Sequence, residues 1–190
     1  MKTPSVLTKL QKEYQSHAKA RREIIGRANE ALSLSKRSIF ALHRGSQKEA
    51  GTLLQQAKEL FQTSEKLFKK HPELSQEGAY HAALEEYAEA LLFQQFLVQG
   101  TIGEIDKRAM NADTYFAGLS DTTGEIVRYA LRQVTLGNVE ALAPARETVE
   151  MIIEYFLGLD LTGYLRTKFD QAKKNLSRLE EMSYDISIRS

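Results

Sequence analysis

Two glutamates with helical spacing interrupt an apolar stretch, EEYAEALLFQQFL, at residues 85–97. At about 100° per residue, Glu86 and Glu89 share one helix face with Phe93 and Phe96. A helix that only displayed carboxylates to water would not surround them with phenylalanine and alanine. Either the glutamates point into an interface and pair with arginines, or they belong to a site for a hard cation. Mg²⁺ and Mn²⁺ prefer oxygen ligands, commonly a few carboxylates plus water.

A second pair of acids lies in LSDTTGEIVRYALRQ, at residues 119–133. Asp121 and Glu125 are spaced as neighbours on one helix face, and Arg128 lies on the same side. Alone, this pattern is also typical of a solvated face on which Glu125 pairs with Arg128. Spacing does not show that the two acidic pairs meet in space. If they meet, the four carboxylates together offer the oxygen ligands of an Mg²⁺ or Mn²⁺ site.

Several other kinds of catalytic site lack the residues they need. The chain has no cysteine, which excludes disulfides, thiolate metal sites and cysteine nucleophiles. No histidine follows Glu86 or Glu89 by three residues, so the Glu-x-x-His signature of di-iron carboxylate bundles is absent from this helix. No local serine–histidine motif or phosphate-cradling glycine loop occurs.

Length and composition predict one folded domain. The 190 residues, 42% of them hydrophobic, suit a single domain over 1–190 with a sizeable core. The formal net charge is only +1, so a polyanion would have to meet a local basic patch. The first residues lack the apolar core of a signal peptide, and no run of about 18 apolar residues occurs. We therefore expect no membrane segment and a cytoplasmic location.

Basic residues cluster in the first and last helical segments. The first segment contains KARREIIGR and SKRSIFALHR, at residues 19–27 and 35–44, and further cations lie between residues 166 and 178. Such residues usually form a solvated face, but they could instead bind the phosphates of a nucleic acid with little dependence on its base sequence. Lys36 and Arg37 in the first segment, and Arg128 beside the second acidic pair, are candidate nucleic-acid contacts.

Hydrophobic residues recur with helical spacing almost throughout, and no segment alternates long enough to predict a strand. The predicted core seam of the first helix is Ile25, Ala28, Leu32, Ser35, Ile39 and Leu42. Gly45 should end this helix, and the second helix should stop before Pro72. The third carries Glu86 and Glu89, and a short helix is expected around residues 105–110.

Three further helices complete the predicted fold. Asp113 is expected to cap the helix of the second acidic pair, which should close at residues 137–138. Another helix should start near Pro144, and the last should span about residues 162–184. Near the end of the chain, Ile186 and Ile188 are expected to pack against the core. The sequence thus predicts one all-α domain of about six or seven helices.

Four separate stretches, in the same order, resemble the translin family. They are SKRSIFALHR, EEYAEALLFQQFL, LSDTTGEIVRYAL and LRTKFDQAKKNLSRLEEMSYDISIRS, and the resemblance covers about residues 22–190. The first three are closer to the branch of translin-associated factor X than to translin itself. The family is all-helical, assembles into closed octamers and binds single-stranded RNA and DNA. The resemblance therefore implies a compact, archaeal-type homologue that forms a homo-oligomer, expected to be an octamer.

The resemblance also implies an activity. The factor X branch supplies an Mg²⁺-dependent endoribonuclease centre, whose acids lie in Glu-Tyr-x-Glu-Ala and Asp-x-Thr-Gly-Glu motifs and face the inside of the shell. The matching acids here are Glu86 and Glu89 in EYAEA, with Asp121 and Glu125 in DTTGE. Arg22 matches the family's arginine in the first helix, so the resemblance implies that Arg22 is a fourth candidate nucleic-acid contact. A binding module for single-stranded nucleic acid with structural carboxylates, and a scaffold that serves other proteins, are the alternatives.

Overall fold

The computed structural model describes residues 4–105 and 110–188, and within these ranges every regular element is helical. The α-helices are α1 (Ser5–His43), α2 (Gln47–Phe68), α3 (Gly78–Gln99), α4 (Ala112–Thr135), α5 (Leu142–Leu157) and α6 (Gly163–Ser187). Short 3₁₀ turns, Pro72–Gln76 and Val139–Ala141, precede α3 and α5. The predicted all-α fold is confirmed. The short helix expected around residues 105–110 falls largely on 106–109, outside the described residues.

The helices pack around a central pair, α3 and α4. α1 packs on α2 and α3, while α4 packs on α3, α5 and α6. Because α3 lies between α1 and α4, it buries residues on several sides, including Tyr87, Ala88, Leu92 and Phe93. This explains why its apolar residues do not form one narrow stripe. None of the described helices has the length and hydropathy that a membrane span requires.

The ends of the helices follow local sequence signals, with two corrections. Gly45 and Gly137 adopt φ of 78° and 87° just after α1 and α4, as predicted for helix-ending glycines. The prediction that Asp113 caps α4 is wrong, because the Asn111 side chain accepts the Thr114 N–H at 2.9 Å. Asp113 instead lies in the first turn, where its charge favours the positive end of the helix dipole.

The core of α1 differs by one position from the predicted seam. Ile24 is fully buried, whereas Ile25 is only partly buried, and the remaining seam positions lie in or against the core. At the other end of the chain, Ile186 packs against the core as expected. Ile188 is 62% exposed, so the expectation that it packs is wrong for the chain considered alone.

α3 and α4 cross at Gly118, where there is no room for a side chain. A Cβ atom on Gly118 would lie 2.7 Å from Ala88 Cβ and 2.9 Å from the Glu85 carbonyl oxygen. It would also lie 3.1 Å from the Glu89 backbone nitrogen. One turn later, fully buried Thr122 donates its hydroxyl hydrogen to the Gly118 carbonyl at 2.7 Å. The small residues at this crossing therefore set the distance between the two helices that carry the acidic pairs.

We expect Gly118→Ala to lower the free energy of unfolding by about 1–3 kcal/mol, because the added methyl overlaps backbone atoms that cannot rotate away. Gly26→Ala in α1 is the matched control, since a Cβ there meets nothing within 4 Å. This control should be neutral or stabilising by up to about 1 kcal/mol through helix propensity. Urea unfolding at one protein concentration gives both values. Equal stability of the two variants would contradict the close crossing.

Candidate active site

The structure brings the two predicted acidic pairs into one cluster at the α3–α4 crossing. Glu86 and Glu89 come from α3, and Asp121 and Glu125 come from α4. Burial is the main cause that raises the pKa of both glutamates, and the charges of both α4 acids raise it further. The acids are therefore near enough to repel one another. We call Glu85, Glu86, Glu89, Asp121 and Glu125 the acidic cluster, because Glu85 shares a partner with Asp121.

Glu89 is the acid with the largest resolved pKa shift in the described residues. Burial, followed by the charges of its three acidic neighbours, raises the pKa of Glu89 from 4.5 to about 9. Its carboxylate makes no hydrogen bond or ion pair with any described residue. Neither desolvation nor repulsion is therefore offset by a direct contact. A divalent cation, which would bind the ionised form, is the kind of ligand that would relieve both.

Lys168 and Tyr164 bring α6 to the cluster. The Lys168 ammonium contacts Asp121 Oδ2 and lies 3.9 Å from Glu85 Oε2. The Tyr164 hydroxyl donates to Glu85 Oε2 at 2.8 Å, and its ring centroid lies 5.2 Å from Lys168 Nζ. One cation and one hydroxyl of α6 therefore engage carboxylates on both α3 and α4.

His43, the last residue of α1, holds the other α4 acid. Its Nε2 contacts Glu125 Oε2, and its ring, only 4% exposed, packs on Phe93 with centroids 4.8 Å apart. Arg132 donates to the His43 carbonyl, and Nη1 of Arg128 lies 3.6 Å from Glu125 Oε2. The end of α1 thus fixes the position of Glu125 against α3.

The chemistry of the cluster fits a hard cation, because carboxylates supply the oxygen ligands that Mg²⁺ and Mn²⁺ prefer. Within the described residues, no three acidic or histidine side chains converge on one point as metal ligands. Asp121 points to Lys168, and Glu125 points to His43. A shared metal site would therefore require at least one of these carboxylates to turn toward Glu86 and Glu89.

Two of the four candidate nucleic-acid contacts lie beside the acidic cluster. Lys36 Nζ is 3.9 Å from Glu86 Oε2, and its side chain is 55% exposed. Arg128 is 50% exposed, and its guanidinium lies 5.1 Å from the centroid of the Phe40 ring. Both cations are accessible at the rim of the acids, where they could meet a phosphate.

The other two candidates lie apart from the acids. Arg22 is exposed, and its guanidinium makes no hydrogen bond or ion pair with the residues that the structure describes. At about 1.5 Å per residue, it lies roughly 21 Å from Lys36 along α1. Arg37 lines a groove that α1 forms with the start of α2. A strand that touched all four cations would have to run along α1.

Sequence patterns do not single out three residues of this site. Glu85 directly precedes the predicted pair, and the doubled acid is its only local signal. His43 and Lys168 look like ordinary members of the basic clusters at the two ends of the chain. Their role depends on contacts between helices far apart in sequence, which spacing within one helix does not reveal.

Without metal, we expect the free energy of unfolding to fall as pH rises from about 4.5 to about 9. Over this range the folded protein keeps the Glu89 proton, whereas the unfolded chain has lost it. Below pH 4.5 both states hold the proton, so the contribution is fully present there and is lost as pH rises through 9. Urea unfolding in EDTA measures the profile. Glu89→Gln should flatten it, and identical profiles for variant and wild type would contradict the assignment.

Comparisons with known proteins, by sequence and by structure, agree on one family. A sequence model of the Translin family matches residues 19–190. Translin-associated protein X of Pongo abelii is 25% identical over 197 residues, which cover 82% of this chain and 68% of that protein. The crystal structure of apo-NeC3PO is 26% identical and has a TM-score of 0.85, over 95% of this chain and 97% of that one.

Two further solved structures share the fold. The crystal structure of AfC3PO is 25% identical with a TM-score of 0.84, over 97% of this chain and 99% of that one. A structure of AfC3PO in complex with duplex RNA is 24% identical with a TM-score of 0.82, over 95% and 97% of the two chains. Since the family model covers nearly the whole sequence, this chain belongs to the translin family.

Proposed function

We propose that this protein is a metal-dependent endoribonuclease that cleaves single-stranded RNA inside a homo-oligomeric shell. The observation that carries the proposal is the environment of Glu89. Its carboxylate lacks a direct partner among the described residues and is surrounded by the charges of three further acids. The proposed cofactor is Mg²⁺ or Mn²⁺, and its proposed ligands are Glu86, Glu89, Asp121 and Glu125. Membership of the translin family supports a nucleic acid as the substrate.

The residues around the acids suit the handling of phosphates. A bound Mg²⁺ or Mn²⁺ would supply an activated water and would neutralise charge on the reacting phosphate. Lys36 and Arg128, half exposed at the rim of the cluster, attract the phosphates on either side of that position. Arg22 and Arg37 hold more distant parts of the strand by charge, with little reading of its sequence.

The preference for single strands follows from the depth of the site. The side chains of Glu86, Asp121 and Glu125 are only 19%, 32% and 20% exposed, so a substrate phosphate has to enter between helices. A flexible strand can turn one phosphate inward, whereas a stiff A-form duplex presents its phosphates on a fixed helical surface. Because a solved AfC3PO complex contains duplex RNA, binding and cleavage should be compared on both single and double strands.

A second candidate function is a non-catalytic oligomer that binds single-stranded RNA or DNA. The contacts of Lys168 with Asp121 and of His43 with Glu125 favour it, since each gives a carboxylate a structural partner. Glu89 argues against it, because a purely structural glutamate at this depth would be expected to have a hydrogen-bond or ion-pair partner.

Asp121→Asn should reduce cleavage of single-stranded RNA by more than about 100-fold, because losing even an outer-shell partner of a metal costs about 10–100-fold. Binding of the same oligonucleotide in Ca²⁺ should stay near the wild-type value or tighten, since one negative charge is removed. Gel-based cleavage in Mg²⁺ and fluorescence anisotropy in Ca²⁺ measure the two effects. Asp113→Asn, at an exposed acid in the first turn of α4, is the matched control.

Arg22→Ala provides the opposite comparison for the same experiment. It should weaken binding across sequences and lower the logarithmic salt slope by about 0.7 for one lost phosphate contact. Cleavage at saturating RNA should change less than binding. If Asp121→Asn cuts as fast as wild type, the non-catalytic binding oligomer becomes the better assignment.

We propose that the shell is an octamer, as the family resemblance implies. The part of α1 at residues 5–19 contains no buried residue, although it carries a stripe of apolar side chains. These residues, between 53% and 75% exposed, are Val6, Leu7, Leu10 and Tyr14. Apolar surface of this kind is expected to be covered in an assembly. Light scattering at micromolar concentration should give eight times the mass of one chain, and a monomer would contradict both the shell and an interior site.

A further inference from the structure

We propose that Lys168 is an exchangeable internal cation of the acidic cluster. In the metal-free protein its ammonium neutralises Asp121 and Glu85 and competes with a divalent cation. When that cation is bound, the ammonium passes to a phosphate of the RNA. This inference rests on the proposed function and deepens it, because it identifies a residue that links metal binding to substrate binding.

Lys168 is more deeply buried than Lys36 and Arg128, the other lysine and arginine near the acids. Its side chain is only 20% exposed, whereas those of Lys36 and Arg128 are 55% and 50% exposed. Its charge acts on Glu86 and Glu89 and opposes the rise of their pKa, so it lies within electrostatic range of the predicted α3 pair. Lys168 is therefore part of the cluster itself, while the other two cations lie at its rim.

The contacts of Lys168 keep its ammonium charged in this partly buried position. Burial works against the charged form, but the contacts with Asp121 and Tyr164 outweigh it and raise the pKa of Lys168 above its ordinary value. Within the described residues, Asp121 has Lys168 as its only ion-pair partner. Removing the ammonium would leave Asp121 unpaired among like charges, which is unfavourable in a partly buried site.

A divalent cation and the ammonium cannot both stay close to Asp121 without repelling each other. A metal ion bound by Asp121 would neutralise the carboxylate charge that Lys168 now neutralises. The lysine stem is flexible and its ammonium carries three donors, so it can turn to a new anion. In the proposed reaction, the anion that arrives beside the acids is a phosphate of the RNA strand. Lys168 is thus expected to oppose metal binding and to favour substrate binding.

The other lysines of α6 do not share this position. Lys173 pairs with Asp170 on its own helix, with 2.7 Å between Nζ and Oδ1. Lys174 is exposed and makes no ion pair within the described part of the chain. Lys174→Met therefore removes the same charge from the same helix without touching the acidic cluster, and it serves as the matched control.

Mn²⁺ binding to the metal-free protein tests the first half of the proposal. Titrations followed by electron paramagnetic resonance should show that Lys168→Met binds Mn²⁺ about tenfold more tightly than wild type, because a competing charge a few ångströms away is removed. Lys168→Arg keeps the charge and should stay near wild type, as should Lys174→Met. Lys168→Gln, which retains a hydrogen-bond donor, replaces the methionine variant if that variant does not fold.

Oligonucleotide binding in Ca²⁺ tests the second half. Lys168→Met should bind a single strand several-fold more weakly and should lower the logarithmic salt slope by about 0.7. An unchanged or weaker Mn²⁺ affinity of Lys168→Met overturns the competition, and unchanged oligonucleotide binding overturns the transfer to phosphate. If Glu89→Gln binds Mn²⁺ as tightly as wild type, the metal site of the proposed function fails instead, which is a separate result.

Discussion

The close approach of α3 and α4 at Ala88 and Gly118 is the constraint from which the site follows. Both positions need small residues, because a Cβ on Gly118 would lie 2.7 Å from the Ala88 methyl carbon. Glu89 directly follows Ala88, and Asp121 lies almost one turn after Gly118. The contact that packs the two helices therefore also brings their acids together. A larger residue at either position would separate the helices and the carboxylates at the same time.

Once the acids are brought together, their repulsion has to be offset by groups from the neighbouring helices α1 and α6. α1 contributes Lys36 to Glu86 and His43 to Glu125, while α6 contributes Lys168 to Asp121. Glu89 is left without such a direct partner among the described residues. This distribution favours a site that exchanges cations over one that is permanently closed by ion pairs.

Most of the fold was predictable from sequence because the helices end at local signals and carry regular apolar spacing. Gly45 and Gly137 indicate helix ends from the local sequence alone, and both adopt positive φ in the structure. The errors arose where several nearby residues could play one role. Asn111 caps α4 in place of Asp113, and Ile24 is buried more deeply than its neighbour Ile25. Neighbouring residues lie about 100° apart around a helix, which is about the width of one apolar face, so hydrophobic spacing alone does not decide between Ile24 and Ile25.

The candidate site was predictable only in part, for a different physical reason. The pairs on α3 and α4 follow from spacing within single helices, and the family resemblance joined them. The contacts of Lys168 and His43 depend on how α6 and the end of α1 pack against the acids. No pattern within one helix encodes those distances. For the same reason, sequence suggested four cations for nucleic acid but did not separate Lys36 and Arg128, which lie beside the acids, from Arg22 and Arg37.

Both acidic motifs carry packing residues between their acids. In EYAEA, the residues between and after the glutamates, Tyr87, Ala88 and Ala90, are buried in the core. In DTTGE, Thr122 bonds to the Gly118 carbonyl, and the Thr123 hydroxyl accepts a hydrogen bond from Asn175 of α6 at 2.8 Å.

The acids of both motifs therefore project from segments whose other residues fix the helix positions. Substituting the packing residues would move the carboxylates as surely as substituting the acids would remove them. This coupling gives a physical reason why these short motifs can mark the candidate site in a chain only 25% identical to a relative.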